Sequence, residues 1–341
     1  MERKFTKKDS TDEPCMKPYL LLDMERTHNR QRRDHYVSPL ERLRRRNDKW
    51  KPAKVRREQE LAAARRQGEL KPFVQPAGFF VYFIHRKTDP TVLDNLIEQA
   101  GKVTNFTIDT EDDCLAHRPA TLQVELVRPN HPSIVLIIEA QFLPDKRTSL
   151  HAKINRLCST IFTTGNHIFS WGAARKEVEK FQRFDLFNGV INIVERNIQA
   201  EFGYWHGYDD EHSPGKPYSL QFAIQQGFKQ HLDKTATLAE WACGLDIALG
   251  TYRRERSYQT RDEEEYRSIL TDYAINDVFA VTKLVQLIDG SSLITPPATI
   301  DFEEIDRNDQ RVDDEQEAFV ELHPSPEEWS MIHVENASQA H

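Results

Sequence analysis

Two short stretches of the chain place acidic side chains where they could bind a metal ion. In the first, residues 106–111, an apolar lead-in typical of a strand is followed by Asp109 and Glu111. Residues i and i+2 of a strand point to the same face, so these carboxylates are predicted to lie side by side. A cation would relieve their repulsion, and hard oxygen ligands suit Mg²⁺ or Mn²⁺. The alternative is a solvated turn, because Asp112 and Asp113 continue the acidic run.

The second stretch lies late in the chain, in a segment with a helical pattern. Tyr273 and Asp277 are four residues apart, which puts a phenol and a carboxylate one turn apart on one helical face. Taken alone, the pair also fits the polar edge of an ordinary amphipathic helix. Together with the strand pair, it has the ingredients of a two-metal phosphodiesterase centre, in which carboxylates hold two cations and the phenol orients the attacking water.

The elements that must position these residues lie within residues 73–292, the only part of the chain that is apolar enough to form a core. Strand patterns occur at residues 79–84, 106–110, 121–127, 133–139 and 167–171. Helical patterns occur at residues 90–100, 150–160, 175–184, 220–232, 237–241 and 262–287, with a loop between residues 198 and 219. This order predicts one α/β domain with a mixed sheet, antiparallel at its start and parallel at its other edge. No glycine-rich loop for a dinucleotide or a P-loop is present.

The order and separation of these motifs resemble those of the DEDDy 3′→5′ exonucleases of the ribonuclease H-like superfamily, which include ribonuclease D and the Werner-syndrome exonuclease domain. The resemblance covers about residues 78–288. It begins at residues 107–111 and continues at residues 219–241, where a leucine-rich helix runs into Leu-x-Lys-x and then Trp241. It ends at residues 273–277. The fold that it implies is a ribonuclease H-like mixed β-sheet flanked by helices.

The chain departs from this family at the second motif, where the family carries an aspartate followed by an apolar residue and, three positions on, another. Glu177, followed by Val178 and Phe181, fits this spacing best. A shift of one residue would place Lys176 there, and a shift toward the strand would place Ala173 there; neither can replace a carboxylate. Because Mg²⁺ demands near-octahedral geometry and glutamate is longer than aspartate, two possibilities stay open. Glu177 is a ligand, or it is a solvated helix residue and the second ion is weak or absent.

The resemblance implies a metal-dependent 3′→5′ exonuclease that removes nucleotides one at a time from a single-stranded or unwound 3′ end of DNA or RNA. The products would be nucleoside 5′-monophosphates. Tyr273 would orient the attacking water. Two Mg²⁺ or Mn²⁺ ions would be held by four acids: Asp109, Glu111, Glu177 and Asp277. The alternative is a catalytically inactive exonuclease fold that serves as a nucleic-acid- or protein-binding adaptor.

The two ends of the chain carry opposite charge. Residues 1–72 contain 21 Lys and Arg against 12 Asp and Glu, whereas residues 299–341 contain 2 against 13. Neither end has enough apolar surface to offset the entropy of ordering, so residues 1–72 and 293–341 are expected to be largely disordered, with helical tendency at residues 58–67. The basic arm is either a solvated segment or a nucleic-acid contact or nuclear-import signal. The acidic tail is either solvated or screens the arm from nucleic acid.

The sequence also indicates where the protein works. Its apolar runs are too short to cross a bilayer, and its N-terminus lacks the pattern of a secretory leader. The four widely spaced cysteines, Cys15, Cys114, Cys158 and Cys243, are predicted to be free thiols in a reducing compartment. We therefore expect an intracellular, nuclear protein with no membrane partner.

Overall fold

The structure, a computed structural model, describes residues 37–47, 68, 70–187, 191, 193–207, 217–251 and 260–290. The chain divides into two units, Met1–Ile294 and Thr295–His341, and every described residue lies in the first. The expectations for the acidic tail, for most of the basic arm and for a helix at residues 58–67 therefore lie outside the described residues.

The described residues contain eight strands and seven α-helices. The strands are β1 (Lys71–Pro72), β2 (Phe79–Ile84), β3 (Asn105–Asp113), β4 (Arg118–Leu126), β5 (Ser133–Glu139), β6 (His167–Ser170), β7 (Val194–Asn197) and β8 (Gln230–His231). The helices are α1 (Pro39–Asn47), α2 (Pro90–Gly101), α3 (Ser149–Ile161), α4 (Ala174–Glu179), α5 (Ile198–His206), α6 (Leu220–Phe228) and α7 (Thr260–Asp289).

Six of the strands form one mixed sheet in the order β2-β5-β4-β3-β6-β7. The three consecutive strands β3, β4 and β5 are antiparallel to their neighbours within this group. Strands β6 and β7 extend the sheet in parallel beyond β3, and β2 lies parallel to β5 at the opposite edge. The predicted mixed sheet flanked by helices is confirmed. The parallel edge formed by β2 was not predicted.

Alternate side chains of β3 point to opposite faces of this sheet. Ile108 is fully buried in the cluster that includes residues of α2 and α3. On the other face, the Thr107 and Thr282 hydroxyls share a hydrogen bond of 2.6 Å, which ties β3 to α7. By the same alternation, Asp109 and Glu111 lie on the face that α7 covers. The strand therefore presents both carboxylates to the long helix.

Helix α7 spans 30 residues, or about 45 Å. Ala274 and Val278 are fully buried in a cluster with residues of β5, and the C-terminal part of α7 packs against α5 and α6. Helix α6 comes so close that a Cβ on Gly227 would stand 2.7 Å from Cδ2 of Leu287. Dense packing on several sides fixes the rotation of α7 about its axis, and with it the direction of Asp277.

Several elements differ from the sequence-based predictions. The segment predicted as a loop after residue 198 begins as helix α5, whose first turn is capped by Asn197, the acceptor of a hydrogen bond from the Ala200 N–H. The helix predicted for residues 220–232 ends at Phe228, because Lys229 adopts a left-handed conformation with φ 55°. The next two residues then pair with β1. Strand β7 escaped prediction because it contains only one apolar residue, Val194.

Helix α1 lies within the basic arm and is ordered. Its Leu43 is buried in the cluster that contains Trp241. Arg42 and Arg46 both form ion pairs with the nearly buried Glu240. The expectation of a largely disordered arm did not include this helix, because composition does not reveal a buried acid almost 200 residues away that attracts two arginines.

Cys114, Cys158 and Cys243 are free thiols, as predicted, and Cys15 lies outside the described residues. Within the part of the chain that the structure describes, no helix is both long and apolar enough to traverse a bilayer.

Candidate metal centre

Three of the predicted acids meet between β3 and α7. Asp109 and Glu111 come from the strand and Asp277 comes from the helix. Each residue has one carboxylate oxygen in this group, and the three oxygens all lie within 4.8 Å of one another. We call these three residues the acid triad. Among the described residues, this is the only group of three or more histidine, cysteine or acidic side chains with the spacing of a metal site.

The acid triad is withdrawn from water to different degrees. Asp277 is fully buried, Glu111 is 8% exposed, and Asp109 is partly buried at the open side. Strand β3 has a register irregularity between Glu111 and Asp112, where its regular pairing with β4 is interrupted. Such irregularities bend a strand and are frequent beside functional sites. The strand residues of the triad therefore lie next to this irregularity, in the second half of β3.

Burial and mutual repulsion make the triad reluctant to ionise. Burial and then the neighbouring Asp277 carboxylate raise the pKa of Asp109 to about 8. Burial and then Asp109 raise the pKa of Glu111 well above its usual range. Burial also raises the pKa of Asp277, although Lys234 opposes that shift. Such a cluster is stable only with protons or with added positive charge, and a divalent cation provides that charge.

The residues present fit a divalent cation. Oδ1 of Asp277 is buried and has no hydrogen bond of regular geometry among the described residues, and the side chains that interact with this carboxylate include Asp109 and Tyr273. Buried carboxylate oxygens nearly always have a partner, so an unsatisfied one inside an acidic cluster points to a ligand for a cation. All the donors are carboxylate oxygens, which suit Mg²⁺ or Mn²⁺ better than softer metals.

Lys234 is a member of this site that was not assigned a role from the sequence. Its ammonium forms an ion pair with Oδ2 of Asp277 and lies 4.5 Å from the centroid of the Tyr273 ring. Burial alone would lower the pKa of Lys234, but Asp277 and Tyr273 outweigh burial and hold it above its ordinary value. The lysine is therefore charged at neutral pH. Its position within the Leu-x-Lys-x motif was visible, but its contact with an acid 43 residues away was not.

Tyr273 lies one helical turn before Asp277, as predicted. Its hydroxyl is 3.0 Å from Oγ1 of Thr237, and its ring makes an edge contact with Trp241 at 5.5 Å between centroids. Burial first, and then Asp277, raise the pKa of the Tyr273 hydroxyl above its ordinary value. The phenol is thus neutral, and it is the donor in its contact with Thr237, because the Thr237 hydroxyl donates its own proton to the Lys234 carbonyl.

Glu177 is not brought into the triad. It lies on α4, where its carboxylate accepts a hydrogen bond from the Thr110 hydroxyl and forms an ion pair with Lys180 at 2.6 Å. Thr110 points to the face of β3 opposite Asp109 and Glu111. The role of Glu177 as a fourth ligand stays a prediction, and in this structure its charge is neutralised by a lysine.

Comparisons with known proteins give structural likenesses only. No family model matches the chain, and no curated protein matches it. Over 69% of its length it resembles the EXO domain of Nibbler from Aedes aegypti, with 11% identity, 99% of that chain covered and a TM-score of 0.43. Ribonuclease D of Trypanosoma brucei, solved with RNA U12, matches 62% of the chain with 12% identity, a TM-score of 0.42 and 63% of its own chain covered.

Ribonuclease D of Escherichia coli, described as an exoribonuclease involved in structured RNA processing, also matches 62% of the chain, with 15% identity and a TM-score of 0.37. The chain spans only 45% of that protein.

Proposed function

We propose that this chain is a metal-dependent 3′→5′ exonuclease that hydrolyses the terminal phosphodiester bond of single-stranded DNA or RNA and releases nucleoside 5′-monophosphates. The observation that carries the proposal is the convergence of the acid triad within 4.8 Å from two elements more than 160 residues apart in sequence. The strand and the helix bring three acids together between the sheet and the helix that covers it, and a phenol lies beside them. These are the groups that phosphodiester hydrolysis requires.

The residues of the chain have distinct tasks in this proposal. Asp109, Glu111 and Asp277 provide carboxylate oxygens to a divalent cation, which when bound lowers the pKa of water and stabilises charge on the leaving oxygen. Tyr273 keeps its proton because its pKa is raised. In this structure its hydroxyl donates that proton to Oγ1 of Thr237 at 3.0 Å, because the Thr237 hydroxyl donates its own proton to the Lys234 carbonyl. The phenol O–H would have to turn from Thr237 to the attacking water in order to orient it.

A mechanism with two ions needs a further carboxylate, and Glu177 is the residue that the motif order indicates. Its ion pair with Lys180 would have to break before it could contribute an oxygen. The side chain is about one third exposed, so this rearrangement does not require the core to open. The two-ion mechanism therefore depends on how Glu177 responds to substrate.

The same ion pair favours a second candidate function. A fold that keeps the acid triad, but in which Lys180 neutralises Glu177, could bind a nucleic acid or a protein without hydrolysing it. As an adaptor of this kind, the chain would retain binding to single-stranded nucleic acid while the length of that strand stayed constant.

The two functions are distinguished by incubating the full chain with a 5′-labelled single-stranded RNA or DNA and Mg²⁺ or Mn²⁺. An exonuclease shortens the labelled strand stepwise from its 3′ end, and the shortening stops when a chelator is added. Asp109→Asn and Asp277→Asn are each expected to reduce the rate at least about a hundredfold, because the loss of one metal-binding oxygen removes several kcal/mol of transition-state stabilisation.

Asp112→Asn is the matched control, because Asp112 is the next acid on the same strand but is exposed and outside the triad. It should shorten the strand at close to the normal rate. Shortening that survives Asp109→Asn and Asp277→Asn would place the activity elsewhere. Binding without shortening would establish the adaptor.

A further inference from the structure

We infer that the ammonium of Lys234 occupies one of the two cation positions at the acid triad, so that the free protein binds a single divalent ion there. The inference deepens the proposed function and rests on it for the role of the bound ion in hydrolysis. It concerns, however, a property that can be measured without any nucleic acid, namely the number of ions bound per chain.

Lys234 is built into the site. Its ammonium forms an ion pair with Oδ2 of Asp277 and also stacks over the face of the Tyr273 ring at 4.5 Å. The backbone around it is fixed, because the Thr237 hydroxyl donates a hydrogen bond of 2.9 Å to the Lys234 carbonyl. An aromatic face and a buried carboxylate together hold an ammonium far more firmly than a surface ion pair does.

The charges at the site fit one divalent ion and not two. Metal binding requires the carboxylates to lose their protons, and three ionised carboxylates with one ammonium leave two negative charges, which a single Mg²⁺ or Mn²⁺ neutralises. A second divalent ion would lie within a few ångströms of the Lys234 ammonium, in a sheltered site where repulsion between like charges is weakly screened. Oδ1 of Asp277, which has no hydrogen bond of regular geometry among the described residues, is still available to the first ion, whereas Oδ2 is already taken by the lysine.

The fourth acid does not change this balance. Glu177 is neutralised by Lys180 at 2.6 Å and also accepts a hydrogen bond from Thr110, so it adds no net charge to the triad. A second ion would therefore lack a free fourth carboxylate. The ion pairs of Lys234 with Asp277 and of Lys180 with Glu177 limit the site to one divalent cation.

The test is a calorimetric titration of the full chain with MnCl₂ in the absence of nucleic acid, followed by electron paramagnetic resonance of the bound Mn²⁺. The normal protein should bind one ion with the spectrum of an isolated Mn²⁺. Lys234→Met keeps the aliphatic stem but removes the charge, so it should bind a second ion, with the spectrum of a coupled pair, or bind the first at least about tenfold more tightly. Lys234→Arg keeps the charge and should retain a single ion.

Lys283→Met is the matched control. Lys283 is also partly buried and lies over an aromatic ring, with its ammonium 4.7 Å from the Phe228 centroid, but its hydrogen-bond partner is the Gln230 side chain and no acid. This variant should bind Mn²⁺ as the normal protein does. Asp109→Asn should abolish the binding heat, which places the ion at the triad. Thermal unfolding of each variant establishes that it is folded.

The outcomes separate this inference from the proposed function. Two ions in the normal protein, no ion at all, or identical binding by the normal protein and Lys234→Met would each overturn the inference. One ion in a protein that never shortens nucleic acid would support the inference and reject the exonuclease. Two ions in an active exonuclease would do the reverse.

Discussion

At the scale of single residues, each carboxylate group of the acid triad can bind a proton or a metal ion. Burial and the Asp277 carboxylate raise the pKa of Asp109 to about 8, so protons compete with the ion across the neutral range. Mg²⁺ should therefore stabilise the fold more at pH 8.5 than at pH 6. At an ion concentration about 100-fold above Kd, the stabilisation should approach about 2.7 kcal/mol.

Thermal unfolding with and without Mg²⁺ at the two pH values measures this competition. Asp277→Asn should show a much smaller increase in Tm with Mg²⁺ at either pH, because it lacks a ligand. An equal increase in Tm at pH 6 and pH 8.5 would mean that the ion binds somewhere other than at the triad.

A second buried acid, Glu125, should affect stability rather than chemistry. It is fully buried on β4 and accepts hydrogen bonds from Ser133 and Thr282, yet burial raises its pKa to about 7 from an ordinary value of 4.5. The folded chain therefore holds this proton more tightly than the unfolded chain. That contribution is complete below pH 4.5 and is lost as the pH rises through 7.

Glu125→Gln cannot ionise, so it should gain stability relative to the normal protein as the pH rises from 5 to 8, by up to about 3 kcal/mol. Urea unfolding at a series of pH values gives the difference directly. Glu179→Gln makes the same chemical change at an exposed position of α4 and is the matched control for it. A pH-independent difference for Glu125→Gln would show that Glu125 is ionised in the folded chain.

At the scale of elements, the parts of the site with a periodic apolar pattern were predictable. Strand β3 and helix α7 each place their acids on the face that the spacing indicated, because alternation and helical periodicity are local properties. The contact of Lys234 was not predictable in this way, because it depends on how a segment after β8 packs across α7. The ion pair of Glu177 with Lys180 joins residues three apart on one helix, so helical spacing could have indicated it.

The position of helix α1 also depends on a contact with a distant segment, which local sequence patterns do not show. Glu240→Ala removes the acceptor shared by Arg42 and Arg46, so α1 should detach more readily and the fold should lose about 1–3 kcal/mol. Hydrogen exchange should show faster exchange in α1 while β3 stays protected. Glu41→Ala breaks only the exposed pair with Arg45 and should cost about 0.5 kcal/mol or less. Equal effects of the two substitutions would mean that α1 is held by its apolar contacts alone.

At the scale of the whole molecule, charge is distributed so that the two ends oppose each other. Residues 293–341 hold 2 basic and 13 acidic side chains, so their removal changes the formal net charge from −8 to +3. Because phosphate contacts release counterions, a protein with less negative charge should bind nucleic acid more tightly and with a steeper dependence on salt. Residues 1–292 should thus bind a labelled single strand more tightly than the full chain at low salt, and the two affinities should converge as salt increases.

Fluorescence anisotropy across a salt series measures both affinities. The informative control is a full-length chain in which the tail acids are replaced by asparagine and glutamine, because it keeps the length of the tail and removes its charge. If charge is the cause, this variant binds as tightly as residues 1–292. If it binds as weakly as the normal chain, the tail acts by occupying space and not by its field, since neutral side chains cannot repel phosphate. Equal binding by all three proteins would show that the acidic tail has no influence on how nucleic acid reaches the site.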